Sequence, residues 1–244
     1  MNLFQKTALF LPAMLLVGTS FVHAQTDINY DPKAKTILDD VSKTAKAYTS
    51  ISATFTITTK HADGTSDVRN GTAVISGSKY KMVLDNTVKG VTYKDEYYND
   101  GKTTWVFTGK AGELTIDNAA AATTTSDNIT PSNIFTFYEK GFKYQYVEEK
   151  TVGTKTLQYI KLIPEKPDKK TYSFATIAID KAKKQIVSVV MKNKDGSTTT
   201  YDVTTLTPNL AVTDATFQFD AKTHTVKSTV DMRDDDDDKD AGNH

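Results

Sequence analysis

From Ile51 onward, apolar and polar residues alternate at every second position, and that period of two constrains the fold more than any other feature of the sequence. Ala53, Phe55 and Ile57 alternate with Thr54, Thr56 and Thr58. Successive side chains of a strand point to opposite faces, so such a run sets one face on a core and the other in water. Asp63-Gly64 is a hairpin turn signal, and Val68 to Ser76 answers as a second strand. After Gly77-Ser78, Tyr80, Met82 and Leu84 alternate with Lys79, Lys81 and Asp85. Val91 to Tyr98, Thr103 to Thr108 and Glu113 to Asp117 continue the meander, with Asn99-Asp100-Gly101-Lys102 as a tight turn. Strands resume with Phe142, Tyr144 and Tyr146, then Thr156 to Ile163, Tyr172 to Asp180, Gln185 to Lys192 and Ser197 to Thr207. Eleven short strands in this order predict a mostly β chain, an antiparallel barrel or sandwich.

Two stretches break the pattern. Asp31-Pro32 supplies a helix cap and a first helical residue, and Leu38, Val41, Ala45 and Tyr48 recur at helical spacing. An amphipathic helix therefore precedes the strands. Between the sixth and seventh strands, Ala119 to Ser126 is an Ala/Thr-rich loop, and Thr130-Pro131-Ser132 opens a short helix that Gly141 stops. Ile134, Phe135, Phe137 and Tyr138 crowd most of that helix, which is too apolar for a free surface. It either packs as part of the core or acts as a hinged lid over an apolar cavity, and the pattern alone leaves both open.

The first residues read as a leader. Lys6 is the only charge before Asp27, an apolar run covers Ala8 to Val17, and Val22-His23-Ala24 is a small-residue cleavage pattern. The run is too short for a membrane span of about 20 residues. Residues 1–24 are expected to be a signal peptide cleaved after Ala24, residues 25–233 one domain, and residues 234–244 an acidic, disordered tail. The 30 Lys and Arg less Lys6 leave 29 basic against 30 acidic side chains, so the exported chain has no overall bias toward nucleic acid. There is no cysteine, hence no disulfide framework and no acylated N-terminal Cys.

Catalytic chemistry is poorly supplied. Apart from His23 and the final His244, only His61 and His224 remain, and neither has a neighbouring His for a zinc site. No G-x-S-x-G or phosphate-binding glycine loop occurs. Glu148 and Glu149 are adjacent, so in a strand they face opposite ways and cannot share a cleft wall. A consecutive Asp run such as Asp234 to Asp238 lacks the alternating ligand spacing of a calcium loop. No enzyme, metal or cofactor is expected.

Several short motifs, in order along the chain, resemble the outer-membrane lipoprotein carrier (LolA) family. They are Ile51-Ser52-Ala53-Thr54-Phe55, Gly71, Asp100 to Trp105, Thr130-Pro131, Leu162-Ile163-Pro164, Ile179-Asp180 and Asp214 to Phe219. Tyr138 to Tyr144 looks most like the branch found in Bacteroidota. The resemblance implies a half-open antiparallel β-barrel with an N-terminal helix and an inserted lid helix over an apolar cavity. It implies a monomeric periplasmic chaperone that takes acylated lipoproteins from an inner-membrane ABC transporter to an outer-membrane acceptor. Gly77 stands where many members carry an Arg that latches the lid. Strand alternation nominates Phe55, Tyr80, Met82, Leu84, Trp105 and Leu114 for the cavity wall, with Ile134, Phe135, Phe137, Tyr138 and Phe142 for the lid. Alternatives are an outer-membrane acceptor of the same fold, which the missing cysteine opposes, a secreted structural β domain without ligand, and a hydrolase, for which no nucleophile and base pair is present.

Overall fold

The computed structural model describes residues 30–119 and 136–233. The expected leader, most of the Ala/Thr loop, Ile134, Phe135 and the acidic tail lie outside the described residues.

Helix α1 spans Pro32–Lys46, and its start is built as the sequence predicts. The Asp31 carboxylate accepts from the N–H groups of Lys33 at 2.8 Å and Ala34 at 3.2 Å, and Pro32 takes the first position. Asp31 also ties the helix to the sheet. Its own N–H donates to the Tyr144 carbonyl at 3.1 Å, and its second carboxylate oxygen accepts from the Tyr146 N–H at 3.0 Å. Burial alone would raise this carboxyl, but the three N–H bonds outweigh it and hold the group below the ordinary range.

Eleven strands then appear where alternation predicts them: β1 (Ile51–Lys60), β2 (Ser66–Ser76), β3 (Lys79–Val88), β4 (Val91–Asn99), β5 (Thr103–Thr108), β6 (Glu113–Asn118), β7 (Phe142–Val152), β8 (Lys155–Pro164), β9 (Tyr172–Asp180), β10 (Gln185–Asn193) and β11 (Thr198–Pro208). A twelfth, β12 (Ser228–Asp231), was not expected and pairs parallel to β6. The spatial order is β12-β6-β5-β4-β3-β2-β1-β11-β10-β9-β8-β7. The sheet stays open, with β7 and β12 as its edges. Bulges interrupt the pairing of β1 with β11, β9 with β10 and β7 with β8, and such insertions bend strands and sharpen twist.

The main core lies on one face, called the inner face here, where α1 packs across β7 to β10. Ala34, Leu38 and Val41 of the helix meet Ile160, Leu162, Ala175, Ile177 and Ile179 of the sheet. Register carries the same face across β11 and β1 to β6. Ile57 stands opposite Tyr201 on one side and Arg69 on the other; Ala53 stands opposite Ala73, Ala73 opposite Met82, and Met82 opposite Tyr97. The adjacent carboxylates separate as predicted. Glu149 pairs in register with Gln158 and Glu148 with Tyr159, on opposite faces.

Candidate functional site

Four of the six expected wall residues share the inner face. Phe55 stands opposite Gly71 and Gly71 opposite Leu84, while Met82 faces Ala73 and Tyr80 faces Ile75. Gly71 makes this packing possible. A methyl group there would sit 2.5 Å from the Phe55 ring and 2.9 Å from Leu84 Cδ2, so both side chains close over the space that a larger residue would fill. Leu84 is buried, but Phe55, Tyr80 and Met82 are only half-buried. Tyr97, Val106, Tyr201 and Val203 extend the same half-buried surface and were not singled out from the sequence. Burial pushes the phenols of Tyr80, Tyr97 and Tyr201 up, which marks this surface as poorly hydrated.

Trp105 and Leu114 are a correction to the expected grouping, because both stand on the outer face. Asn99 faces Thr104 and shares the inner face with Tyr80, so Trp105, one residue on, points outward opposite Tyr98. Leu114 stands opposite Phe107 on that same outer side. This region has its own cover, made by the chain after β11. Phe219 lies 5.7 Å from the Tyr98 ring and 5.5 Å from that of Phe107, and Phe217 beside it is 1% exposed. His224 stacks on Phe219 at 4.4 Å, and its Nε2 lies 3.1 Å from Glu96. The other ring nitrogen, Nδ1, sits 2.8 Å from the Asp220 carbonyl. The Thr223 hydroxyl also lies 2.9 Å from Nδ1, so both ring nitrogens are engaged by this segment and by Glu96, and the ring ties the cover to the sheet.

The lid candidates divide. Ile134 and Phe135 lie outside the described residues. Residues Phe137–Glu139 form a single 3-10 turn before Gly141, whose φ is +80°. Tyr138 and Phe142 belong to the dry core: Tyr138 donates to the Leu38 carbonyl at 3.3 Å, and Phe142 stacks with Tyr172 at 6.5 Å. Burial pushes the Tyr138 phenol up strongly. Phe137 is half-buried at the margin of that core, edge-on to Tyr138 at 5.9 Å and to Phe142 at 5.7 Å. Gly77 lines a cleft of about 270 Å³ with Tyr48, Ile51, Ile75 and Thr136.

Among the described residues no three His, Cys, Asp or Glu side chains gather to hold a metal. His61 bonds Asp67 at 2.8 Å at the tip of the β1–β2 hairpin, and that bond raises its pKa. What the inner face offers is apolar area beside tyrosine hydroxyls, which suits sequestration of a flexible apolar ligand.

A family model described as outer membrane lipoprotein carrier protein LolA matches residues 46–220. No curated protein sequence matches the chain. Among solved structures, an uncharacterized conserved protein from Thermus thermophilus superposes with a TM-score of 0.54 at 12% identity, covering 82% of this chain and 99% of that one. The lipoprotein LppX from Mycobacterium tuberculosis gives 0.48 at 12% identity over 75% and 98% of the two chains. A LolA superfamily protein from Nitrosomonas europaea gives 0.41 at 11% identity over 76% and 97%. At these identities the structural likeness concerns the fold.

Proposed function

Because this chain belongs to the LolA family of outer membrane lipoprotein carrier proteins, we propose that it is an exported periplasmic chaperone that shields lipoprotein acyl chains in transit. The observation that carries this reading is the half-buried inner surface of Phe55, Tyr80, Met82 and Tyr97, continuous with a dry core yet not filled by it. Burying an acyl methylene is worth roughly 0.8 kcal/mol, so partial cover of one chain gives useful affinity without bond chemistry. The surface must also let go. Half-buried walls grip loosely, and Phe137, at the core margin, is the described lid residue best placed to move over them. The inner-membrane lipoprotein-releasing ABC transporter and an outer-membrane acceptor are the partners that this role requires. The leader ending at Ala24 is the proposed means of export.

The test is direct. Mature chain beginning at Gln25 should bind a fluorescent fatty acid saturably, and mass spectrometry should find acylated lipoproteins co-purifying from the periplasm. A chain that binds no acyl probe would end the carrier reading and leave a β domain without ligand.

A further inference from the structure

The inner face carries a single arginine. Arg69 and Arg233 are the only arginines of the chain, and Arg69 stands opposite Ile57, which stands opposite Tyr201. Two residues further along β2 is Gly71, under Phe55 and Leu84. Arg69 as a residue is partly buried, and its charge reaches the phenols of both Tyr97 and Tyr201, holding each below what burial alone would set.

Arg69 has no carboxylate partner within ion-pair distance among the described residues; of the acidic groups nearest it in register, Asp95 is bonded through both oxygens and Asp67 through one. Asp67, two residues earlier on the same face, is held by His61 at 2.8 Å. Asp95, opposite Leu84, accepts from Asn86 Nδ2 at 2.8 Å and from the Gly109 N–H at 3.1 Å. A partly desolvated guanidinium without a counter-ion is unfavourable, and its planar donors fit a carboxylate or phosphate in two parallel bonds.

Apolar side chains also run along the strands away from Arg69. Toward the start of β1 the inner face offers Ile51, Ala53, Ala73, Ile75 and Met82, bordered by Tyr80 and Tyr97, and toward the β1–β2 turn it offers Ile57, Tyr201 and the cation Arg69. The stretch of β2 from Arg69 to Ile75 spans about 20 Å, at about 3.3 Å per residue. That is enough to seat an extended acyl chain with its head at Arg69.

We propose that Arg69 is a head-group anchor, taking the anionic end of an amphiphile, carboxylate or phosphate, whose tail lies along Phe55, Leu84 and Met82. The proposal rests on the acyl-binding reading above and extends it to free anionic amphiphiles, because the ester- and amide-linked acyl groups of a lipoprotein carry no charged end. The experiment compares a fluorescent polyene fatty acid with its methyl ester at pH 8 on the mature chain. Wild type should bind the acid at least about tenfold tighter, since a charge-assisted pair in a poorly hydrated site is at stake. Arg69→Met should abolish that preference while leaving ester affinity unchanged, and Arg69→Lys should restore part of it. Unchanged ester binding also shows that the variant is folded. Competition separates the sources of the anion: displacement by lysophosphatidate as well as by fatty acid identifies a general anionic-head site, and displacement by fatty acid alone a carboxylate site. Equal binding of acid and ester by wild type, or an acid preference that survives Arg69→Met, overturns the anchor while leaving the carrier reading standing. Failure of wild type to bind either probe overturns both.

Discussion

The two halves of the sheet use the same alternation and bury it differently. Across β7 to β10 the inner face is dry under α1, with Ile160, Leu162, Ala175 and Ile177 all at 0% exposure. Across β1 to β6 the inward side chains Phe55, Met82, Tyr97 and Val106 stay half-buried, and the close cover of β4 to β6 sits on the other side, where Phe217 and Phe219 pack outside. One half is closed by a helix and supplies stability. The other is backed from outside, and its inner surface mixes buried side chains such as Ala73 and Leu84 with half-buried ones. A sheet shared by both lets a firm half support a loosely filled one.

The largest effect should come from the dry half. Leu162→Ala removes a fully buried side chain and should cost about 2–5 kcal/mol in urea unfolding, whereas Met82→Ala should cost well under half of that. Equal costs would mean that the open half is as tightly filled as the closed one. Next comes the border between the halves. Phe137→Glu should reduce affinity for a fluorescent acyl probe more than about tenfold while lowering the melting temperature by only a few degrees, because the side chain is at the core margin. A collapsed melt would assign Phe137 to the core with Tyr138, and unchanged probe binding would remove it from the mechanism. The smallest effect belongs to the exposed rim of the open half. Asp67 raises the folded pKa of His61, so the stability from this pair is fully present below the ordinary histidine pKa and fades as pH rises through the raised value. His61→Gln should therefore lower the melting temperature at pH 5, by less than about 2 °C for so exposed a pair, and not at pH 9. An equal loss at both pH values would mean that the residue acts through packing instead.

The strands and the helix were readable from residues, though the contrast between the halves was not. Alternation located all of β1 to β11, and Asp31-Pro32 placed the start of the helix. It also set Phe55, Tyr80, Met82 and Leu84 on one face. It could not carry that face through the Asn99–Thr103 turn. Parity within a strand says which residues agree with one another, while the cross-strand pair says which way they all point. Asn99 opposite Thr104 turned Trp105 outward, and Leu114 with it. The outer cover was illegible for another reason. Phe217 and Phe219 sit in and after a 3-10 turn without periodicity, and four exposed residues of β12 show no buried face. Arg69 read as one more polar residue near a hairpin, because its isolation depends on where Asp67 and Asp95 spend their oxygens.

Asp31 has a consequence for self-association. An unclosed sheet presents a row of free N–H and C=O groups at each edge, and a second molecule can add its own strand there. At β7 the carboxylate and amide of Asp31 occupy Tyr146 N–H and Tyr144 C=O, so the helix cap is also a stopper on the edge. At the far side β12 offers only four residues, ending in Asp231, over what would otherwise be the bare flank of β6. The segments before β1 and after β11 thus guard opposite flanks, and Asp31→Ala would trade a helix cap for a sticky strand. The expected sign of that exchange is slow polymerisation at high concentration, even where the monomer remains folded.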